Sequence, residues 1–168
     1  MIDLFLRDCS ALAKGNYRWD INDSDYIFQG INRSMDIAKK YKVNLQLTVH
    51  NKVFLYNEKK FYNIVDKINL FKKLTIHLHT DKKSLIANNE QSILFINKLK
   101  KYTNNLLNFS GFCIHPDNVL DYKILEELKD INNDSYIAIE VTDKNSEFGN
   151  RLDQIEKILK TNKFIDLV

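Results

Sequence analysis

Four histidines and one glutamate have the residue types and spacing for metal chemistry. The chain holds only four histidines, and each falls in a short segment that reads as a β-strand. His50 closes the segment 43–50 (VNLQLTVH), His77 and His79 lie in 74–80 (LTIHLHT), and His115 lies in 109–117 (FSGFCIHPD). Glu140 takes the matching place in 136–143 (YIAIEVTD). A sheet of parallel strands gathers strand-end residues along one edge, where imidazoles and carboxylates can converge on a divalent cation. Imidazole with carboxylate suits Mn, Zn, Fe or Co. All five residues are candidate metal ligands, and Glu140 and His115 are also candidate catalytic groups.

Each residue has a plainer alternative. His115 precedes Pro116-Asp117-Asn118, a turn that can leave a histidine on the surface for no chemical reason. Of His77 and His79, on one strand face, one can be a packing or supporting histidine. Glu140 follows the apolar run Tyr-Ile-Ala-Ile, and a buried carboxylate must be paired, protonated or metal-bound. Trp19 can stack on a ligand or simply cover the core. Asp166 falls in a strand, and Asp117, Asp121 and Asp143 follow strands where turn acids and helix caps are common. No Gly-rich phosphate loop and no serine nucleophile elbow is present.

The elements that must position these groups alternate. Strands are expected at 2–7, 43–50, 74–79, 109–115, 136–141 and 164–168. Helices are expected at 24–41, 58–71, 88–106, 121–131 and 150–160. Strands separated by helices imply βαβ units and a parallel sheet. Central strands of a doubly wound sheet read as nearly continuous apolar runs, but these alternate. Leu45, Leu47 and Val49 oppose Asn44, Gln46, Thr48 and His50, and Leu74, Ile76 and Leu78 oppose Thr75, His77 and His79. Phe112 and Ile114 oppose Gly111, Cys113 and His115, and Ile137 and Ile139 oppose Ala138 and Glu140. One apolar and one small or polar face predict a parallel (β/α) TIM-type barrel with helices outside and a partly polar interior. Six strands are fewer than the eight such a barrel needs. Residues 1–168 are therefore expected to form one domain, an incomplete barrel. It is either the N-terminal part of a longer one or completed by a second copy.

Composition narrows the partners. The 168 residues are 44% hydrophobic and 28% charged, with a net charge of +3, as in an ordinary globular domain. Dispersed lysines and so small a net charge argue against nucleic acid. The apolar runs are strand-length, so no membrane span is expected. Without a signal-peptide pattern, a cytoplasmic location is expected, with Cys9 and Cys113 as thiols.

The order of several motifs resembles the xylose isomerase-like TIM barrels, the superfamily of sugar phosphate isomerases and epimerases that also holds endonuclease IV. The matching residues are Ile114-His115-Pro116-Asp117 and Ile139-Glu140-Val141-Thr142-Asp143-Lys144. Phe148-Gly149-Asn150 before a helix and a strand from Phe164 follow in the same order. Val49-His50-Asn51 with Phe54-Leu55-Tyr56-Asn57 resembles the family's strand-end histidine and the loop after it. The family's asparagine after the glutamate is Val141 here, and its D-x-x-H strand would finish past Val168. The resemblance implies a metal-dependent isomerase or epimerase acting on a sugar or sugar phosphate, with Glu140 as a metal-ligating carboxylate and His50 and His115 at the rim. Two other readings stay open. One is a metal-dependent phosphoesterase or nuclease, like endonuclease IV or the TatD-type enzymes with their H-x-H strand. The other is a truncated barrel that binds or assembles without catalysis.

Overall fold

The computed structural model describes residues 5–7, 24–80, 85–116, 119–129, 135–140, 152–162 and 165–167. Cys9, Trp19, Asp117, Asn118, Val141 to Lys144, Phe148 to Asn150, Phe164 and Val168 lie outside them. The described elements alternate as β1 (Phe5–Arg7), α1 (Ser24–Tyr41), β2 (Asn44–His50), α2 (Asn51–Tyr62), α3 (Val65–Ile68), β3 (Leu74–His79), α4 (Glu90–Thr103) and β4 (Phe109–Ile114), followed by a 3₁₀ turn (Tyr122–Leu125), α5 (Glu126–Lys129), β5 (Tyr136–Ile139), α6 (Leu152–Thr161) and β6 (Ile165–Leu167). The protein is α/β, with one all-parallel sheet in the order β1-β2-β3-β4-β5-β6. The strand order follows the chain order without reversal. A right-handed crossover between each parallel pair then sets successive helices against the same face of the sheet.

The alternation read from the sequence supplies that face. Leu45, Leu47, Val49, Leu74, Ile76, Leu78, Phe112, Ile114, Ile137 and Ile139 are all buried. Helix α1 meets them with Ile27, Ile31, Met35 and Ala38, spaced three or four residues apart on one helical stripe. Between α1, α2 and α4 the contacts are aromatic. Phe61 lies edge-on to Phe28 at 4.9 Å, and Phe54 lies 5.0 Å from Phe61 and 5.5 Å from Tyr102. Edge-to-face pairs at such distances add to the area they bury.

One expected loop is a helix. Residues 54–57 belong to α2, which starts directly after His50 rather than at residue 58. His50 holds the extended conformation of a helix N-cap, and the apolar positions Val53, Phe54 and Phe61 turn into the core. Asn57 is non-helical inside this segment, and its side-chain amide donates to the Val53 carbonyl at 3.0 Å. That local bond competes with the helix ladder and hides the first half of α2 from a periodicity reading. Of the expected helix at 121–131, the described residues form a 3₁₀ turn capped by the Asp121 carboxylate and then α5.

Tyr102 is fully buried, and among the described residues its hydroxyl has no hydrogen-bond partner. Burial, and secondarily the neighbouring Tyr62, push its phenol well above the ordinary value of 10.0. Below that pH both folded and unfolded chains keep the proton, so this group adds no pH dependence. Above it the unfolded phenol ionises while the folded one does not, and stability falls by about 1.4 kcal/mol per pH unit. Tyr102→Phe should leave stability at pH 7 unchanged or raise it by about 1 kcal/mol, and should flatten the alkaline loss. Denaturant midpoints at neutral and alkaline pH check this. A clearly destabilised variant at pH 7 would show that the hydroxyl is bonded.

Candidate metal centre

The face of the sheet opposite the apolar one carries the candidate ligands, and the backbone ladder sets their rungs. His77 on β3 pairs with Thr48 on β2 and Cys113 on β4, and Cys113 pairs in turn with Ala138 on β5. One rung further toward the C-terminal ends, His50 pairs with His79. His115 follows the last paired residue of β4, and the Glu140 amide donates to the Ile114 carbonyl at 2.9 Å, extending the ladder one residue past β5. The sequence therefore placed all these groups at the strand ends, but His77 sits one rung deeper than the others.

A bulge sets the β4 register. Leu74 pairs with Phe109 and Thr75 with Gly111, leaving Ser110 unmatched. The extra residue bends a strand and re-aims the side chains beyond it. Here Phe109 and Phe112 stay in ring contact at 4.8 Å, while Gly111, Cys113 and His115 alternate away from Phe112 and Ile114. Beyond the sheet, Ile86 and Val119 form an isolated parallel bridge, and the Leu120 amide donates to the Ile86 carbonyl at 2.7 Å. The segments following β3 and β4 are thereby tied together. The Tyr122 hydroxyl donates to the Pro116 carbonyl at 2.9 Å, which ties the residue after His115 to the 3₁₀ turn.

Three imidazoles and one carboxylate meet at this edge. The His77–His79, His77–His115 and His79–His115 ring centroids are 5.1, 4.7 and 4.9 Å apart. One oxygen of Glu140, Oε2, lies 3.0 Å from His77 Nε2 and 3.5 Å from His115 Nε2. The Glu140 carboxylate thus spans from β5 across β4 to a ring on β3. Burial is graded: the His77 side chain is 0% exposed, His115 13% and Glu140 28%. The deep histidine is sealed, and the carboxylate is the most exposed of the three.

Among the described residues, two sets of three place their ligand atoms within 4.8 Å of one another: His77, His79 and His115, and His77, Cys113 and Glu140. Imidazole nitrogens brought this close can share a proton or hold a cation. Either set can hold a metal ion. The structure brings together four of the five predicted ligands. His50, almost fully buried, pairs with His79 in the ladder but belongs to neither set. Cys113 belongs to one of them and was given no role by the sequence. Its only signal there was a face shared with His115. Asp166 pairs with Ala138 through β6.

Among the described residues no helix is long and apolar enough to cross a membrane. In comparisons with known proteins, no protein family, no curated protein and no solved structure matches the chain.

Proposed function

We propose that the chain forms part of a metal-dependent isomerase or epimerase acting on a sugar or sugar phosphate. The observation that carries the reading is the convergence of His77, His79, His115 and Glu140 at the C-terminal ends of adjacent parallel strands. Active sites of (β/α) barrels lie at that end. The unreversed strand order supports a barrel over a doubly wound sheet, whose order reverses at a switch point. The motif order around His115 and Glu140 supports the sugar phosphate assignment by resemblance.

In this reading the cation sits among His77, His79, His115 and Glu140. A divalent metal supplies electrophilic pull on the oxygens of a bound hydroxy-carbonyl compound. The chain's own contribution is positional. Sealed His77 anchors the site, and the more exposed Glu140 and His115 face the substrate side. There the Glu140 carboxylate can take a proton from carbon beside a carbonyl and return it to the same or the neighbouring carbon.

The three-histidine set also favours a second reading, a metal-dependent hydrolase, because such a set can lower the pKa of a bound water toward neutrality. The two readings part in one experiment. Purified protein loaded with Mn, Fe, Co or Zn is incubated with a panel of aldose and ketose phosphates in deuterated water, and separately with a phosphodiester. Deuterium entering the sugar carbon supports the isomerase or epimerase, and release of phosphomonoester supports the hydrolase. Metal binding with neither reaction would overturn both in favour of a binding module.

A further inference from the structure

The two ligand sets differ in charge. Three neutral imidazoles leave a divalent cation with its full charge, whereas one thiolate and one carboxylate neutralise it. His77, the most deeply buried ligand, is common to both sets, and the second adds Cys113, itself only 7% exposed, where the first adds two less buried histidines. An unneutralised dication is costly there, since moving charge out of water is opposed by the loss of its hydration. Cys113 also stands on β4, between the strands that carry His77 and Glu140. Its neighbour on β5 is Ala138, which brings only a methyl group to that rung.

We propose that the Cys113 thiolate is a ligand of this metal, together with His77 and Glu140, and that the site therefore selects Zn, Co or Fe over Mn. The inference rests on the metal-dependent reading above. Binding replaces the Sγ–H bond with an Sγ–metal bond, and the proton leaves to solvent. Thiolate is a soft donor, suited to Zn and Fe, whereas Mn prefers oxygen ligands. A sulfur ligand also gives the site a weakness that a wholly imidazole and carboxylate site lacks, because oxidation of Cys113 removes a donor.

Cobalt is the probe. The full chain is loaded with Co(II), and its absorption is recorded for wild type, Cys9→Ser and Cys113→Ser. Visible ligand-field bands report cobalt in a protein site, and a near-ultraviolet sulfur-to-cobalt charge-transfer band reports a thiolate ligand. The expected result is both bands in wild type and Cys9→Ser, with only the charge-transfer band lost in Cys113→Ser. Competition should show Zn held at least about a hundredfold more tightly than Mn, with the preference shrinking at least tenfold in Cys113→Ser. Should Cys113→Ser fail to fold, wild type and Cys9→Ser still decide. Cobalt bound without the charge-transfer band, or with a band that disappears in Cys9→Ser, overturns the role of Cys113 and leaves the metal reading standing. No cobalt uptake in wild type overturns both.

Discussion

Glu140→Gln should weaken metal binding by more than about a hundredfold while leaving the fold intact. Residues that merely support a metal ligand typically cost ten- to a hundredfold when removed, and a ligating carboxylate should cost more. Glutamine keeps the shape of the side chain and can still accept a hydrogen bond from His77, now 3.0 Å from the carboxylate. It lacks the negative charge that offsets a buried cation. The variant therefore separates charge from packing. Bound metal measured by plasma mass spectrometry, with circular dichroism to establish folding, decides the matter. A folded Glu140→Gln protein that keeps its metal at wild-type affinity would remove Glu140 from the site.

Gly111→Ala should be the most damaging single methyl in the sheet. A Cβ at Gly111 would lie 2.4 Å from the Tyr136 carbonyl oxygen and 2.8 Å from Cγ of its ring. Gly111 also has φ of 155°, which side-chain-bearing residues rarely adopt. The carbonyl belongs to the neighbouring strand, so relief requires β4 and β5 to part. Overpacking and backbone strain together should cost about 3 kcal/mol or more, a fall in Tm of roughly 6–12 °C for a chain of this size. Metal affinity should fall as well, because Cys113 lies on β4, His115 directly follows it and Glu140 directly follows β5. Trimming the ring with Tyr136→Ala should not rescue the variant, since the closest atom is backbone. Thermal unfolding of the single and double variants checks this, and an unchanged Tm for Gly111→Ala would refute it.

The sequence was informative where structure depends on local alternation. Period-two patterning located the central strands to within a residue or two, and it told the helix-packed face of each strand from the polar one. Helix α1 was equally clear, because its buried stripe from Ile27 to Ala38 repeats at helical spacing over about three turns. Where structure depends on one local exception or on distant pairing, the reading stopped. Asn57 interrupts the helical pattern of α2 through a bond to its own backbone, which composition does not reveal. The bulge at Ser110 sets which β4 residue stands beside His77, and its mark in the sequence, Gly111, does not by itself fix the register. Hence Cys113 was seen only as a neighbour of His115, and His50, although paired with His79 in the ladder, belongs to neither set of converging ligand atoms. The histidines and Glu140 were legible as a set. Their depths, and the shared Glu140 oxygen, needed three strands placed side by side.

The small bridge between Ile86 and Val119 has a consequence for how such a site can change. In a parallel α/β protein the loops after the strands shape the opening, and they can usually vary one at a time. Here the stretches after β3 and β4 are hydrogen-bonded to each other, so they form one piece of wall rather than two. An insertion that lengthens one must be answered in the other, or it tears the bridge. Selection for a new substrate would thus act on the pair as a single inherited unit, and variation should be freer along the parts of the rim that no such bridge ties.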